Sequence, residues 1–147
     1  MMLDTPSMIG VVTGKPEFHT VFGDPDGIVT SGQTCVVTDC ARLQEFKVGL
    51  PNPNGNSLIR CSEAGPWISC SVSPPEQDHR FAHQYPFEIF NSGDYAYCEA
   101  EWHSPARNLG SGETMSFQQA FRVWADDENP NIPGTQSKSK ELLSCMS

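Results

Sequence analysis

The 147-residue chain carries 9 Lys and Arg against 18 Asp and Glu, a formal net charge of −9 that disfavours nucleic acid and anionic membranes as partners. Its length suits a single domain over residues 1–147, of the usual size of about 150 residues and able to bury roughly two-thirds of its unfolded surface. Charged residues make up only 18%, while Gly and Pro contribute 12 each, a mix that favours short strands joined by turns over long helices.

In chain order, Met8 to Thr13 and Phe18 to Phe22 read as strands, and Gly23-Asp24-Pro25-Asp26-Gly27 as a turn leading into Ile28 to Thr30. Gln33 to Val37 is β-favouring, whereas Asp39 to Phe46 fits either a strand or one short helix capped by Asp39. Phe46, Val48 and Leu50 alternate along a strand that runs into Pro51-Asn52-Pro53-Asn54-Gly55-Asn56, expected to be an exposed loop. Ser57 to Cys61 and Trp67 to Val72 pair as a hairpin around Gly65-Pro66, and Pro74-Pro75 ends it. Glu76 to Gln84 is polar, with room for one helical turn.

Phe87 to Phe90 and Tyr95 to His103 form the clearest hairpin, turned at Asn91-Ser92-Gly93-Asp94. Its second strand sorts by period two, with Ala96, Cys98, Ala100 and Trp102 inward and Tyr95, Tyr97, Glu99, Glu101 and His103 outward. Met115 to Ala125 fits a helical stripe and a strand face alike; its turn-rich lead-in and the strand-like remainder favour a strand. Residues 126–141 read as a loose polar C-terminal segment, tied down by Leu142, Leu143 and Cys145. The expected fold is all-β: an antiparallel β-sandwich or small β-barrel with at most one or two short helices, stapled by disulfides.

The six cysteines, Cys35, Cys40, Cys61, Cys70, Cys98 and Cys145, are an even set that suits an oxidising, extracellular setting. The hairpin pairs Cys61 with Cys70, the short turn VVTD suggests Cys35 with Cys40, and elimination leaves Cys98 for Cys145. No window holds the roughly 18 apolar residues of a membrane span, and MMLDTPSM lacks the basic start and apolar run of a signal peptide. No asparagine lies in an acceptor Asn-x-Ser/Thr.

His79 and His83 would share a helix face as a metal pair, with His103, Glu99 or Glu101 as third ligand. Without a HExxH or a Cys-x2-Cys pair, solvated loop histidines and no metal are the expectation. Glu88, Asp94, Glu99 and Glu101 are candidate acid–base carboxylates, set against the tendency of an acidic chain to place carboxylates on wet faces. Trp67, Tyr95 and Tyr97 are candidates for stacking on sugar rings, with Glu99, Glu101 and His103 beside them, whereas Trp102 belongs to the buried face.

HQYPFEIFNSGDYAY resembles the passage from an aromatic-Pro strand through a Gly-Asp turn in small fungal guanyl-specific ribonucleases and ribotoxins. Those enzymes need a further acid–base histidine near the C-terminus; none follows His103, and the negative charge repels RNA, so an active nuclease is not expected. At the level of class, the acidic, cysteine-containing chain with CVVTDC and RCSEAGPWISC resembles small secreted proteins of plant-associated fungi, including elicitors of the hypersensitive response. That resemblance implies a secreted, non-enzymatic, monomeric protein with no cofactor, perceived by a host receptor through loops such as Asn52 to Asn56, Ala64 to Trp67 and His103 to Glu113. The rival expectation is a carbohydrate-binding module for cell-wall glycan.

Overall fold

The computed structural model describes residues 1–4, 7–40, 42–60, 66–76 and 78–125. The strands are β1 (Met2–Asp4), β2 (Met8–Thr13), β3 (His19–Gly23), β4 (Val29–Ser31), β5 (Cys35–Asp39), β6 (Phe46–Leu50), β7 (Pro53–Arg60), β8 (Trp67–Ser71), β9 (Phe87–Asn91), β10 (Tyr97–Trp102) and β11 (Ala120–Trp124). They form two antiparallel sheets, one of five strands in the order β1-β10-β9-β6-β3 and one of six in the order β11-β8-β7-β2-β5-β4. This is the expected all-β architecture in its sandwich form, and no helix occurs among the described residues.

Alternation explains the packing. Ile9, Val11, Val36 and Ile59 of the six-stranded sheet face Phe46, Val48, Leu50, Phe87 and Ile89 of the five-stranded sheet, all fully buried in one core. Phe87 and Trp102 pack with ring centroids 4.6 Å apart, and the Trp102 Nε1–H donates across the sandwich to Ser57 Oγ at 3.1 Å. Cys98 and Ala100 point into this core and Tyr97, Glu99 and Glu101 away from it, as period two predicts.

Several expectations are corrected. The helix alternative for 39–46 is replaced by β5 ending at Asp39 and β6 beginning at Phe46. The loop expected at Asn52 to Asn56 is largely strand: Pro53 opens β7, where a missing N–H is tolerated, and lies opposite Thr13. Gly55 has φ +91° and sits so close to the Val72 carbonyl that a Cβ could not be accommodated, which turns this apparent loop signal into a requirement of the strand. The described residues 78–84 form turns and no helix. The strand within Met115 to Ala125 is confined to β11, which leaves Phe121 and Val123 exposed at the sheet edge.

Trp67 is the largest correction. It begins β8 where the strand Trp67 to Val72 was expected to begin, but instead of presenting an open ring it lies opposite Trp124 and is 7% exposed. With Val12, Cys35, Val37, Leu58 and Trp124 it forms a second apolar cluster. These residues alternate with those of the main core along β2, β5 and β7, so the cluster lies on the other face of the six-stranded sheet. Trp124 Nε1–H donates to Ser69 Oγ at 3.1 Å and the Arg60 guanidinium lies 5.0 Å from the Trp67 ring.

The Cys35–Cys40 pairing fails for a geometric reason. Extended β5 separates the two by about 3.3 Å per residue, far beyond the roughly 7 Å Cα limit of a disulfide, and Cys35 belongs to one apolar cluster and Cys40 to the other. The Cys40 thiol instead meets that of Cys98. Cys70 stands opposite Ser57, and burial pushes its thiol up to about 11. The expected partners Cys61 and Cys145, the loop from Ala64 and the segment 126–141 lie outside the described residues.

Candidate functional site

The outer face of the five-stranded sheet carries the residues that alternate away from the core. Register places Phe22 opposite Lys47, Lys47 opposite Phe90 and Phe90 opposite Glu99 in one row. In the neighbouring row His19 lies opposite Gly49, Gly49 opposite Glu88 and Glu88 opposite Glu101. Gly49 is demanded by contact: a Cβ there would fall inside the Tyr85 ring, which lies over β6 and reaches His19 Nδ1 with its hydroxyl at 3.2 Å. Tyr85 thus fixes the segment that ends at β9 and carries His83.

Glu88 is the centre of this face and only 2% exposed. The Lys47 ammonium reaches diagonally to Glu88 Oε2 and to Glu101 Oε2, each at 2.8 Å. Two imidazoles approach the same Glu88 oxygen, His83 Nδ1 at 3.5 Å and His103 Nε2 at 3.7 Å, and their ring centroids are 4.8 Å apart. His103 is positioned by its own N–H, which donates to the Pro86 carbonyl at 3.0 Å, while the Ala106 N–H donates to the Arg80 carbonyl at 2.7 Å. These two bonds tie the chain leaving β10 to the chain entering β9.

Burial holds the His103 imidazole below its ordinary pKa against the opposing pull of Glu88 and Glu101, so the ring is neutral at pH 7. Burial also works to discharge Lys47, but its hydrogen bonds to Glu101 and Glu88 outweigh it and raise the ammonium above its ordinary value. A neutral buried imidazole, a second imidazole and a carboxylate within reach of one point can hold a divalent cation or relay a proton. Glu76, Asp78 and His79 make a second group of possible ligand atoms, more exposed and confined to one turn.

Two surfaces adjoin the cluster. On one side four rings follow one another: Phe22 to Phe90 at 6.2 Å, Phe90 to Tyr97 at 6.0 Å, and Tyr97 to Tyr95 at 6.4 Å with their planes within 23°. Tyr95 is 68% and Phe22 43% exposed. On the other side His103 and Trp102 form part of the wall of a cleft of about 910 Å³ that also takes in Phe81, Arg107 and Phe117. Such a volume lies within the roughly 300–1,000 Å³ of small-molecule sites.

Of the residues singled out in the sequence, Tyr95, Tyr97, Glu99, Glu101 and His103 share this region, whereas Trp67 lies in the other sheet. The His79–His83 pair is separated: His79 turns back to Glu76 at 3.5 Å and His83 joins His103. His83 and His103, from separate segments, thus stand side by side. Lys47 and Phe22 were not anticipated. The signal for Lys47 was its place between Phe46 and Val48, two inward residues, which forces a charged side chain onto the same outer face as Glu88. No family model, curated protein or solved structure matches the chain.

Proposed function

We propose that the chain is a carbohydrate-binding β-sandwich whose ligand lies on the outer face of the five-stranded sheet. The observation that carries this reading is the sequence of four rings Phe22, Phe90, Tyr97 and Tyr95, partly open to solvent and adjoining the Glu88–Lys47–Glu101 group. Flat aromatic faces take up the apolar faces of pyranose rings, and neighbouring carboxylates and an ammonium accept and donate hydrogen bonds to sugar hydroxyls. Phe22, Phe90 and Tyr97 stand on strands and Tyr95 on the short turn that leads into β10, so little conformational entropy is lost on binding. Function here is recognition, not turnover, and the protein acts outside the cell.

The experiment is calorimetry against soluble cell-wall oligosaccharides: glucan, xylan, chitin and pectin fragments. Tyr97→Ala and Phe22→Ala are each expected to weaken binding about tenfold, the factor that accompanies roughly 1.4 kcal/mol. Trp67→Tyr, on the opposite sheet, leaves affinity unchanged. Heat with none of the glycans removes the reading.

A second reading, the elicitor perceived by a plant host, is favoured by the exposed stretch 106–116 between β10 and β11, turned by the Gly110 N–H donating to Glu113 Oε2 at 2.8 Å. A host receptor would read that loop's shape. Infiltration of the pure protein into leaves separates the two: necrosis that survives Tyr97→Ala but is lost when 106–116 is replaced by a Gly-Ser linker supports the elicitor alone.

A further inference from the structure

We infer that His83, Glu88 and His103 form a binding site for a divalent transition-metal ion of the zinc type. The inference is independent of the carbohydrate reading and rests on how three side chains from separate segments converge.

Zinc takes imidazole nitrogen at about 2.0–2.1 Å and carboxylate oxygen at about 2.0–2.2 Å, so two ligand atoms on a tetrahedron stand about 3.4 Å apart. Glu88 Oε2 lies 3.5 Å from His83 Nδ1 and 3.7 Å from His103 Nε2, which matches two such edges. All three ligand atoms fall within 4.8 Å of one another, so a small inward movement of the exposed His83 ring closes the third edge. Unlike a cluster of surface carboxylates, this one is enclosed: His103 Nε2 is buried with no hydrogen-bond partner among the described residues, and the buried Glu88 Oε2 beside it has Lys47 as its ion-pair partner. Leaving the enclosed His103 nitrogen unsatisfied is costly, and a cation held between it and Glu88 satisfies it.

Lys47 is the only cation facing the site among the described residues, and it shares Glu88 Oε2. Its second partner, Glu101 Oε2 at an equal 2.8 Å, lets the ammonium remain bound while Glu88 turns to the metal. With neutral imidazoles the group of Glu88, Glu101 and Lys47 carries one net negative charge, and the whole chain −9, so the entering ion is attracted. His83 is 58% exposed and forms the solvent side, where a water completes the coordination. The bound ion would join the segment before β9 to the end of β10, at the junction between the row of rings and the cleft.

Titration of the chelator-treated full-length protein with ZnCl2, followed by calorimetry, is expected to give one ion per chain. Co2+ in its place is expected to give the visible absorption of a tetrahedral site. His83→Ala and His103→Ala each weaken Zn2+ at least about tenfold, and His83→Ala does so without lowering the melting temperature of the metal-free protein, because its ring is exposed. His79→Ala leaves affinity unchanged. Absence of binding by the wild-type chain, wild-type affinity in His83→Ala, or loss of binding in His79→Ala instead would each overturn the assignment.

Discussion

Lys47→Met is expected to destabilise the fold by about 3–5 kcal/mol, the usual cost of removing one partner from a buried ion pair. The charge left behind is that of Glu88, whose side chain is 2% exposed and has no route to water, whereas Glu101, at 27%, relaxes into solvent. The His103 imidazole does not replace the ammonium, because burial holds it neutral. At this chain length the loss corresponds to a fall in melting temperature of about 10 °C or more. Lys47→Met/Glu88→Gln is expected to recover most of it, since a neutral amide is far less costly to bury than a carboxylate. Urea unfolding of the three proteins checks this; equal stability of wild type and Lys47→Met would show that Glu88 is not held by Lys47. The pH dependence has a definite sign. The folded-state pKa of Lys47 is raised, so the pair's contribution is complete below the ordinary value of about 10.4 and is lost as pH rises through the folded value.

Refolding in a glutathione redox buffer is expected to join Cys40 to Cys98. Both side chains are fully buried in the inter-sheet core, Cys40 just after β5 of one sheet and Cys98 in β10 of the other, and their thiols are hydrogen-bonding neighbours. That hydrogen bond, reinforced by burial, pushes the Cys40 thiol far above its ordinary pKa, so the folded thiols exchange slowly and the bond must form as the chain folds. Glutathione disulfide accepts the two electrons and the chain loses two hydrogens. Closing the loop between these positions is worth about 4 kcal/mol through the unfolded state. Peptide mapping without reductant should recover the Cys40 and Cys98 peptides as one linked species, and reduction should lower the melting temperature. Separate alkylation of both cysteines in the oxidised protein would contradict the pairing.

The two-sheet architecture could be read because its alternation is clean: Phe46, Val48 and Leu50 on one strand, and Cys98, Ala100 and Trp102 on another, all turn inward. The outward set Tyr97, Glu99 and Glu101 followed from the same period. Trp67 escaped because the six-stranded sheet is apolar on both faces, which defeats a period-two reading that assumes one wet side. Pro53 and Gly55 mimicked a loop while serving as a strand start and a close backbone contact. His83 was noticed through a helix that does not form, and His103 through the outward face of its strand. Their convergence on Glu88 depends on the bonds between Pro86 and His103 and between Arg80 and Ala106, which no local pattern announces.

If the outer face of the five-stranded sheet binds the ligand, the amide spectrum of the 15N-labelled chain titrated with the cell-wall oligosaccharides shows saturable shifts in β3, β9 and β10, around Phe22, Phe90 and Tyr95 to Glu101. Shifts confined to the six-stranded sheet, or none with any of the glycans, would contradict it.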